Sequence, residues 1–349
     1  MSELRRAGAA AADVLWIGTP GQMEEQLVPM AGLTLATIAG GPIVGVPLRQ
    51  RVVNAAKLTW SLGSANRLFG RFRPDVLFMT GGYVNVPVAV VAWLRRVPAA
   101  IYLPDVEPGS AIRFLSRFAA RVGCTTEGSR DFFPAGQTVV TGYPVRPEVR
   151  AAVAMPKAAA LAQFDLAPGR ATLFVFGGSR GARSINRALL AILPQLLETI
   201  QVIHISGQLD WPEVEASSEL LPAGLRAFYR PYPFLHEAMG AAYRAADLVV
   251  ARAGASMLGE SPAFGLPSVL VPYPYAWRYQ KVNADFLADR GAAIRLDDGL
   301  LADKLLPTVL DLLQDGPRLA AMAAAAQALD VPDAAGRLAK LITDLGTRS

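Results

Sequence analysis

One stretch near the middle of the chain, Thr172-Leu-Phe-Val-Phe-Gly-Gly-Ser-Arg-Gly-Ala-Arg-Ser-Ile-Asn186, admits few folds. Thr172 to Phe176 is an unbroken run of apolar, β-branched and aromatic residues, the pattern of a strand covered on both faces. Gly177, Gly178 and Gly181 follow, and Ile185, Leu189, Leu190, Ile192 and Leu193 then recur at helical spacing. Strand, glycine turn and helix in that order form one arm of a parallel α/β sheet, with backbone N–H groups at the helix start facing a possible phosphate. Ser179 adds a hydroxyl there, and Arg180 and Arg183 add positive charge. A Gly-Gly-x-x-Gly turn also serves plain strand-to-helix packing, so on local chemistry both uses stay open. Because this arm starts near residue 170 and not near residue 10, it opens a second nucleotide-type domain.

A chain of 349 residues suits two such domains. With 52% hydrophobic and 18% charged residues, it has the composition of a well-buried globular protein. Apolar runs such as residues 84–94 stop well short of the ~20 residues that span a bilayer. The first residues lead into alanines and not into a hydrophobic segment with a cleavage site, so they do not read as a secretion signal. The lone Cys124 excludes a disulfide framework, fits a reducing cytoplasm and reads as a small core residue.

Strand patterns at 13–18, 33–38, 76–80, 99–103 and 139–141 alternate with helical ones at about 23–32, 52–71 and 87–94. The second half repeats the order: strands at 202–206, 248–251 and 268–271, helices at 241–246, 254–264 and 280–290. Alternation with short turns predicts two parallel, doubly wound sheets facing a cleft at their strand C-termini, with the hinge near Arg146. Charge is uneven. Residues 1–150 carry a net +6 and the remainder −1, and the basic half also holds Trp60, Phe69, Phe72, Trp93, Phe114 and Phe118. Cations beside apolar side chains suit an anionic membrane surface, at about 1 kcal/mol per well-placed charge, and equally an ordinary arginine-rich surface. The basic residues are scattered without a reading motif, which argues against nucleic acid.

From Asp247 to Glu260 a strand passes into a glycine turn and a helix; Gly265-Leu-Pro-Ser-Val-Leu-Val-Pro272 and Arg278-Tyr-Gln-Lys-Val-Asn-Ala284 follow. With Gly18-Thr-Pro20, Arg73-Pro-Asp-Val76, Gly81-Gly-Tyr-Val84, Pro144-Val-Arg146, the central glycine loop and Pro332-Asp-Ala-Ala335, these stretches resemble the two-domain GT-B glycosyltransferases. The resemblance is strongest to the bacterial MurG type, which moves N-acetylglucosamine from UDP-GlcNAc to lipid I, giving lipid II for peptidoglycan. It implies an acceptor and membrane-side domain of residues 1–145 plus 333–349, and a donor domain of residues 146–332. It further implies a peripheral enzyme on the cytoplasmic face of the cell membrane, without a cofactor. Residue by residue, it places Gly178, Ser179, Arg180 and Arg146 at the diphosphate and Glu260 at the ribose. Ala255, Ser256 and Met257 would lie near the phosphates, Leu235 would set its backbone against uracil, Gln280 would hold the sugar, and Tyr83 would lie on the acceptor side.

The sequence departs from that pattern in three places. A glycine loop with a histidine should precede the first helix, but Met1 stands within what reads as that helix, and the only histidines are His204 and His236. With Met1 as the true start, the first domain is expected to lack its first strand and to be loosely held; with a start placed too late, the glycine loop would lie upstream. A His-Glu-Gln-Asn run is replaced by Tyr102-Leu-Pro-Asp105, and Tyr279 takes the place of the first glutamine of a pair. Asp105 and Glu107 are the carboxylates at a strand end, and Asp105 is the candidate base for an inverting transfer, with a turn or capping role as its alternative. No Asp-x-Asp occurs, so no metal is implied at the diphosphate. Two other readings keep the fold: transfer to another lipid acceptor, or a UDP-sugar-binding homologue with impaired catalysis. A dinucleotide oxidoreductase would need a Gly-x-Gly-x-x-Gly that the chain lacks.

Overall fold

The computed structural model describes residues 2–39, 48–178, 181–275 and 278–347, the side chains of 48–59 excepted. The chain forms two compact units, one of residues 1–104, 108–141 and 333–349, the other of 105–107 and 142–332.

The second unit is a six-stranded parallel sheet built outward from β7 (Thr172–Phe176). Beyond one edge of β7 lie β8 (Gln201–Ile205) and β9 (Tyr229–Tyr232); beyond the other lie β10 (Leu248–Arg252), β11 (Ser268–Val271) and β12 (Ala293–Arg295). Alternation along the strands explains the two-sided burial. Leu173, Val175, Val202, Leu248, Val250, Val269 and Val271 join one core with the helix Arg183–Thr199, through Ile185, Leu189 and Leu193. Phe174, Phe176, Ile203, Ile205, Val249 and Ala251 join the opposite core with the helices Met239–Ala245 and Tyr279–Ala288. A strand buried on both faces has no polar side to show, which is why the sequence reads as continuous apolar runs.

In the first unit β3 (Leu77–Met79), β4 (Ala99–Leu103), β5 (Arg121–Cys124) and β6 (Thr138–Val140) form a four-stranded parallel sheet. Separately, β1 (Leu15–Gly18) pairs with β2 (Thr34–Thr37), also in parallel. The sequence pattern predicted a single sheet here. Among the described residues no ladder joins β1 to β3; Ile17 and Leu77 instead pack against one shared apolar cluster of Ile38, Phe69, Val88 and Val91. The C-terminal helix Ala334–Gly346 lies on β4 and β5, where Gly123 leaves room for Leu338 and Leu341. Cys124 is buried in this unit's core, and burial pushes its thiol up to about 12. Phe69, read from the sequence with the exposed aromatics, is also a core residue.

Candidate active site

The turn after β7 is shaped by close approach. A Cβ on Gly177 would lie 2.2 Å from the Ala182 nitrogen. Gly181, at φ +75, would place a Cβ 2.2 Å from the Ser206 carbonyl oxygen, at the end of β8. Gly178 has φ +88 with open space around it. Ala182, the residue before the helix Arg183–Thr199, makes no side-chain cap bond, which leaves amides of the first turn to other acceptors. Ser179 and Arg180 lie outside the described residues. The first helical turn is tied down from the β10 side as well: Arg252 donates to Ser184 Oγ at 2.7 Å and to Asp298 Oδ1 at 2.5 Å, while Ser184 donates to Asp298 at 2.7 Å.

Beyond β10 the predicted helix 254–264 is two short pieces, a 3-10 turn Ala255–Leu258 and a helical turn Glu260–Ala263. They break at Gly259, where a Cβ would lie 2.5 Å from Tyr143 Cβ, so the chain bends where it must pass the Tyr143 side chain. The bend presents Glu260, which is only 6% exposed. The Tyr243 hydroxyl donates to its Oε2 at 2.7 Å. Burial raises the Glu260 carboxyl above its ordinary 4.5, while the Tyr243 bond, the nearby Arg146 charge and a bond from Ser256 pull it back. The same burial, with the carboxylate beside it, lifts the Tyr243 phenol well above 10. Arg146 is the residue before the helix Pro147–Ala151, and its Nη1 lies 3.7 Å from Glu148 Oε1. Glu260, Ser256 and Arg146 are thus neighbours. The Met257 side chain is buried in the core, so only its backbone can face a ligand.

Residues 105–107 are fastened to this unit by Asn283, itself 1% exposed. Asn283 Nδ2 donates to Asp105 Oδ1 at 2.8 Å and to the Ala253 carbonyl at 3.1 Å, and its Oδ1 accepts from Val106 N at 3.0 Å. Glu107 is buried and accepts from Arg278 Nε at 2.5 Å. Asp105 is half-buried, and burial raises its carboxyl above 3.8 against the opposing pull of the Asn283 bond. Gln280 accepts from the Tyr273 backbone at 2.8 Å. Leu235 packs against the core between Phe234 and His236, whose ring centres are 4.4 Å apart. Tyr83 belongs to the first unit, in the turn before the helix Asn85–Leu94, where Val86 N bonds its carbonyl.

Known proteins resemble the chain over nearly its whole length. The glycosyltransferase family 28 C-terminal domain matches residues 172–338, and the N-terminal domain of the same family matches residues 1–124. The chain belongs to glycosyltransferase family 28. A family 28 relative from Roseiflexus sp. (strain RS-1) is 40% identical over 96% of this chain and 84% of its own length. One from Chlorobaculum parvum is 39% identical over 99% and 93%. Both are named UDP-N-acetylglucosamine--N-acetylmuramyl-(pentapeptide) pyrophosphoryl-undecaprenol N-acetylglucosamine transferase. Among solved structures, Acinetobacter baumannii MurG superposes with a TM-score of 0.77 at 28% identity, covering 98% of this chain and 93% of that one. A UDP-GlcNAc 2-epimerase from Neisseria meningitidis, at 11% identity and a TM-score of 0.65 over 100% and 94% of the two chains, shares the fold. Two Rossmann-like units in a family 28 chain are the GT-B architecture expected from the sequence.

Three contributors to the site escaped the sequence reading. In the sequence Tyr243 is only part of a helix pattern, Asn283 only a letter of a motif, and Arg252 only a residue of the 247–260 stretch, just past the strand at 248–251. A polar residue within an apolar strand end or helix face was the available signal, but its partner is set by tertiary contact.

Proposed function

We infer that this chain is an inverting N-acetylglucosaminyltransferase that moves GlcNAc from UDP-GlcNAc to lipid I, forming lipid II for peptidoglycan. The observation that carries the reading is the buried Glu260 beside Ser256 and Arg146, one strand away from the helix that follows the glycine loop, in a chain that matches family 28 across both halves. A carboxylate accepting two bonds from a vicinal diol suits a ribose. Amides at a helix start and an arginine suit a diphosphate. Gly178, Ser179, Arg180 and Arg146 receive the diphosphate, with the backbone of Ala255, Ser256 and Met257 close by. Leu235 offers its backbone to uracil, Gln280 holds the sugar, and Tyr83 serves the acceptor. The acceptor hydroxyl oxygen bonds to the anomeric carbon as the bond to UDP breaks; Asp105 takes the hydroxyl proton, and UDP leaves with the bonding electrons.

The test is UDP release from UDP-GlcNAc with lipid I, comparing the protein with Glu260→Gln. Gln keeps an acceptor for Tyr243 but loses the charge, so KM for UDP-GlcNAc should rise about tenfold with kcat little changed. An unchanged donor KM would remove Glu260 from the ribose.

The acceptor is lipid-linked, and the first unit carries a surface suited to that. Among the described residues no helix is long and apolar enough to cross a membrane. Trp93 and Leu94 are 60% and 66% exposed, and Phe118 bridges Trp93 and Phe114 at 6.3 and 5.5 Å between ring centres. Arg95, Arg96, Arg113 and Arg117 are exposed close by in sequence. Aromatic edges with surrounding cations fit the headgroup level of an anionic leaflet, so the enzyme works as a peripheral protein on the cytoplasmic membrane face. Replacing Trp93 and Phe114 by Ser should lower binding to phosphatidylglycerol vesicles by about tenfold or more, leaving UDP binding intact. Equal vesicle binding by the double variant would exclude this face.

A further inference from the structure

Behind the glycine loop lies a chain of buried polar groups that the transfer mechanism leaves unused. His204 on β8 is fully buried, with Nδ1 2.7 Å from the Tyr229 hydroxyl and Nε2 3.0 Å from Asn186 Oδ1. Asn186 Nδ2 donates to the Ser206 carbonyl at 2.8 Å and to Asp210 Oδ2 at 2.9 Å. Asp210 Oδ1 accepts Arg183 Nε at 2.8 Å.

The directions follow from what each group can do. A carbonyl and a carboxylate only accept, so the amide nitrogen of Asn186 faces them and its oxygen faces the imidazole. His204 therefore carries its proton on Nε2, and its bare Nδ1 accepts from Tyr229. Burial pushes the imidazole down to about 3, so the ring stays neutral and the order persists across the working range.

Two parts of the loop hang on this chain. The Ser206 carbonyl is the atom against which Gly181 packs, and Arg183 is the first residue of its helix. A cation at a helix N-terminus opposes the helix's own partial charge. Here a buried carboxylate, Asp210, holds a side chain that remains 61% exposed. Such an arrangement is reasonable where a second anion arrives to share the guanidinium.

We propose that Asp210 is a positioning residue for the donor diphosphate: backed by Tyr229, His204 and Asn186, it holds Arg183 and the Gly181 turn in the arrangement that receives the phosphates. The proposal rests on the reading that the glycine loop seats the diphosphate. It also predicts a sign. Removing a negative charge near a phosphate should tighten binding if Asp210 acted by charge alone; loss of positioning weakens it.

The experiment is calorimetry of UDP and of uridine against the full-length protein, Asp210→Asn, Tyr229→Phe and Gly178→Ala, with steady-state kinetics on each. Asp210→Asn should weaken UDP about tenfold and Tyr229→Phe about threefold, with uridine unchanged. The KM for UDP-GlcNAc should rise to match while kcat and the lipid I KM hold. Tighter UDP binding in Asp210→Asn, an equal loss for uridine and UDP, or a lowered melting temperature with both affinities intact would each overturn the proposal. Gly178→Ala separates the two layers. If it weakens UDP and Asp210→Asn does not, the positioning role alone fails; if it leaves UDP binding unchanged, the loop is not the seat and the proposal falls with it.

Discussion

Gly181→Ala should abolish useful donor binding while leaving a folded protein. At φ +75 an L-residue carries a strain of about 1–2 kcal/mol. The larger effect is the added Cβ, which would sit 2.2 Å from the Ser206 carbonyl oxygen. That carbonyl cannot retreat cheaply, because Ser206 directly follows β8, its N–H bonds the Tyr232 carbonyl at 3.0 Å, and its own carbonyl accepts from Asn186 at 2.8 Å. The loop must move instead, by an ångström or more, and its amides move with it. Misplacement on this scale costs about 100-fold in a preorganised site. The expected result is UDP affinity down about 100-fold by calorimetry, with a single cooperative melt, since the cores on both faces of β7 are untouched. UDP affinity within about threefold of the starting protein would mean that the diphosphate sits elsewhere.

That glycine illustrates what the sequence makes legible. The run Thr172–Phe176 and the glycines after it give strand, turn and helix because backbone rules are local. The same holds for β11, whose apolar run Ser268–Val271 matches its predicted limits. The helix 254–264 failed for a non-local reason: Gly259 bends around Tyr143, far away in sequence. The single first-unit sheet failed likewise, because whether β1 and β3 share a ladder depends on pairing across 60 or so intervening residues, where the apolar pattern specifies burial but no neighbour. The site divides in the same way. Glu260 and Gly181 lie in stretches whose spacing is distinctive, whereas Tyr243, which bonds Glu260, and Asn186, which holds the Ser206 carbonyl that Gly181 packs against, are ordinary helix residues until the strands bring them together.

Asp105→Asn should lower kcat by about 10²- to 10⁴-fold and leave UDP affinity unchanged, the mark of a base that acts only in the transfer step. The substitution is nearly isosteric and retains an oxygen for Asn283 Nδ2, 2.8 Å away. Stability does not confuse the result. A carboxyl raised above 3.8 by burial gives relative stability only below that pH and loses it as pH rises through the folded value, so at neutral pH its charge is a cost that Asn removes. A fall in kcat at pH 7 therefore reports chemistry, not unfolding. The pH profile separates the two buried carboxyls. Asp105 must be ionised to take a proton, so its raised pKa should appear as an acidic limb above 3.8 in kcat at saturating UDP-GlcNAc, and that limb should vanish in Asp105→Asn. Glu260, also raised by burial, acts through the donor and should appear in the KM for UDP-GlcNAc instead. If the limb in kcat survives in Asp105→Asn, and kcat with it, the proton leaves by another route. The carboxyl that Asn283 holds would then serve only to fasten residues 105–107 to the donor unit.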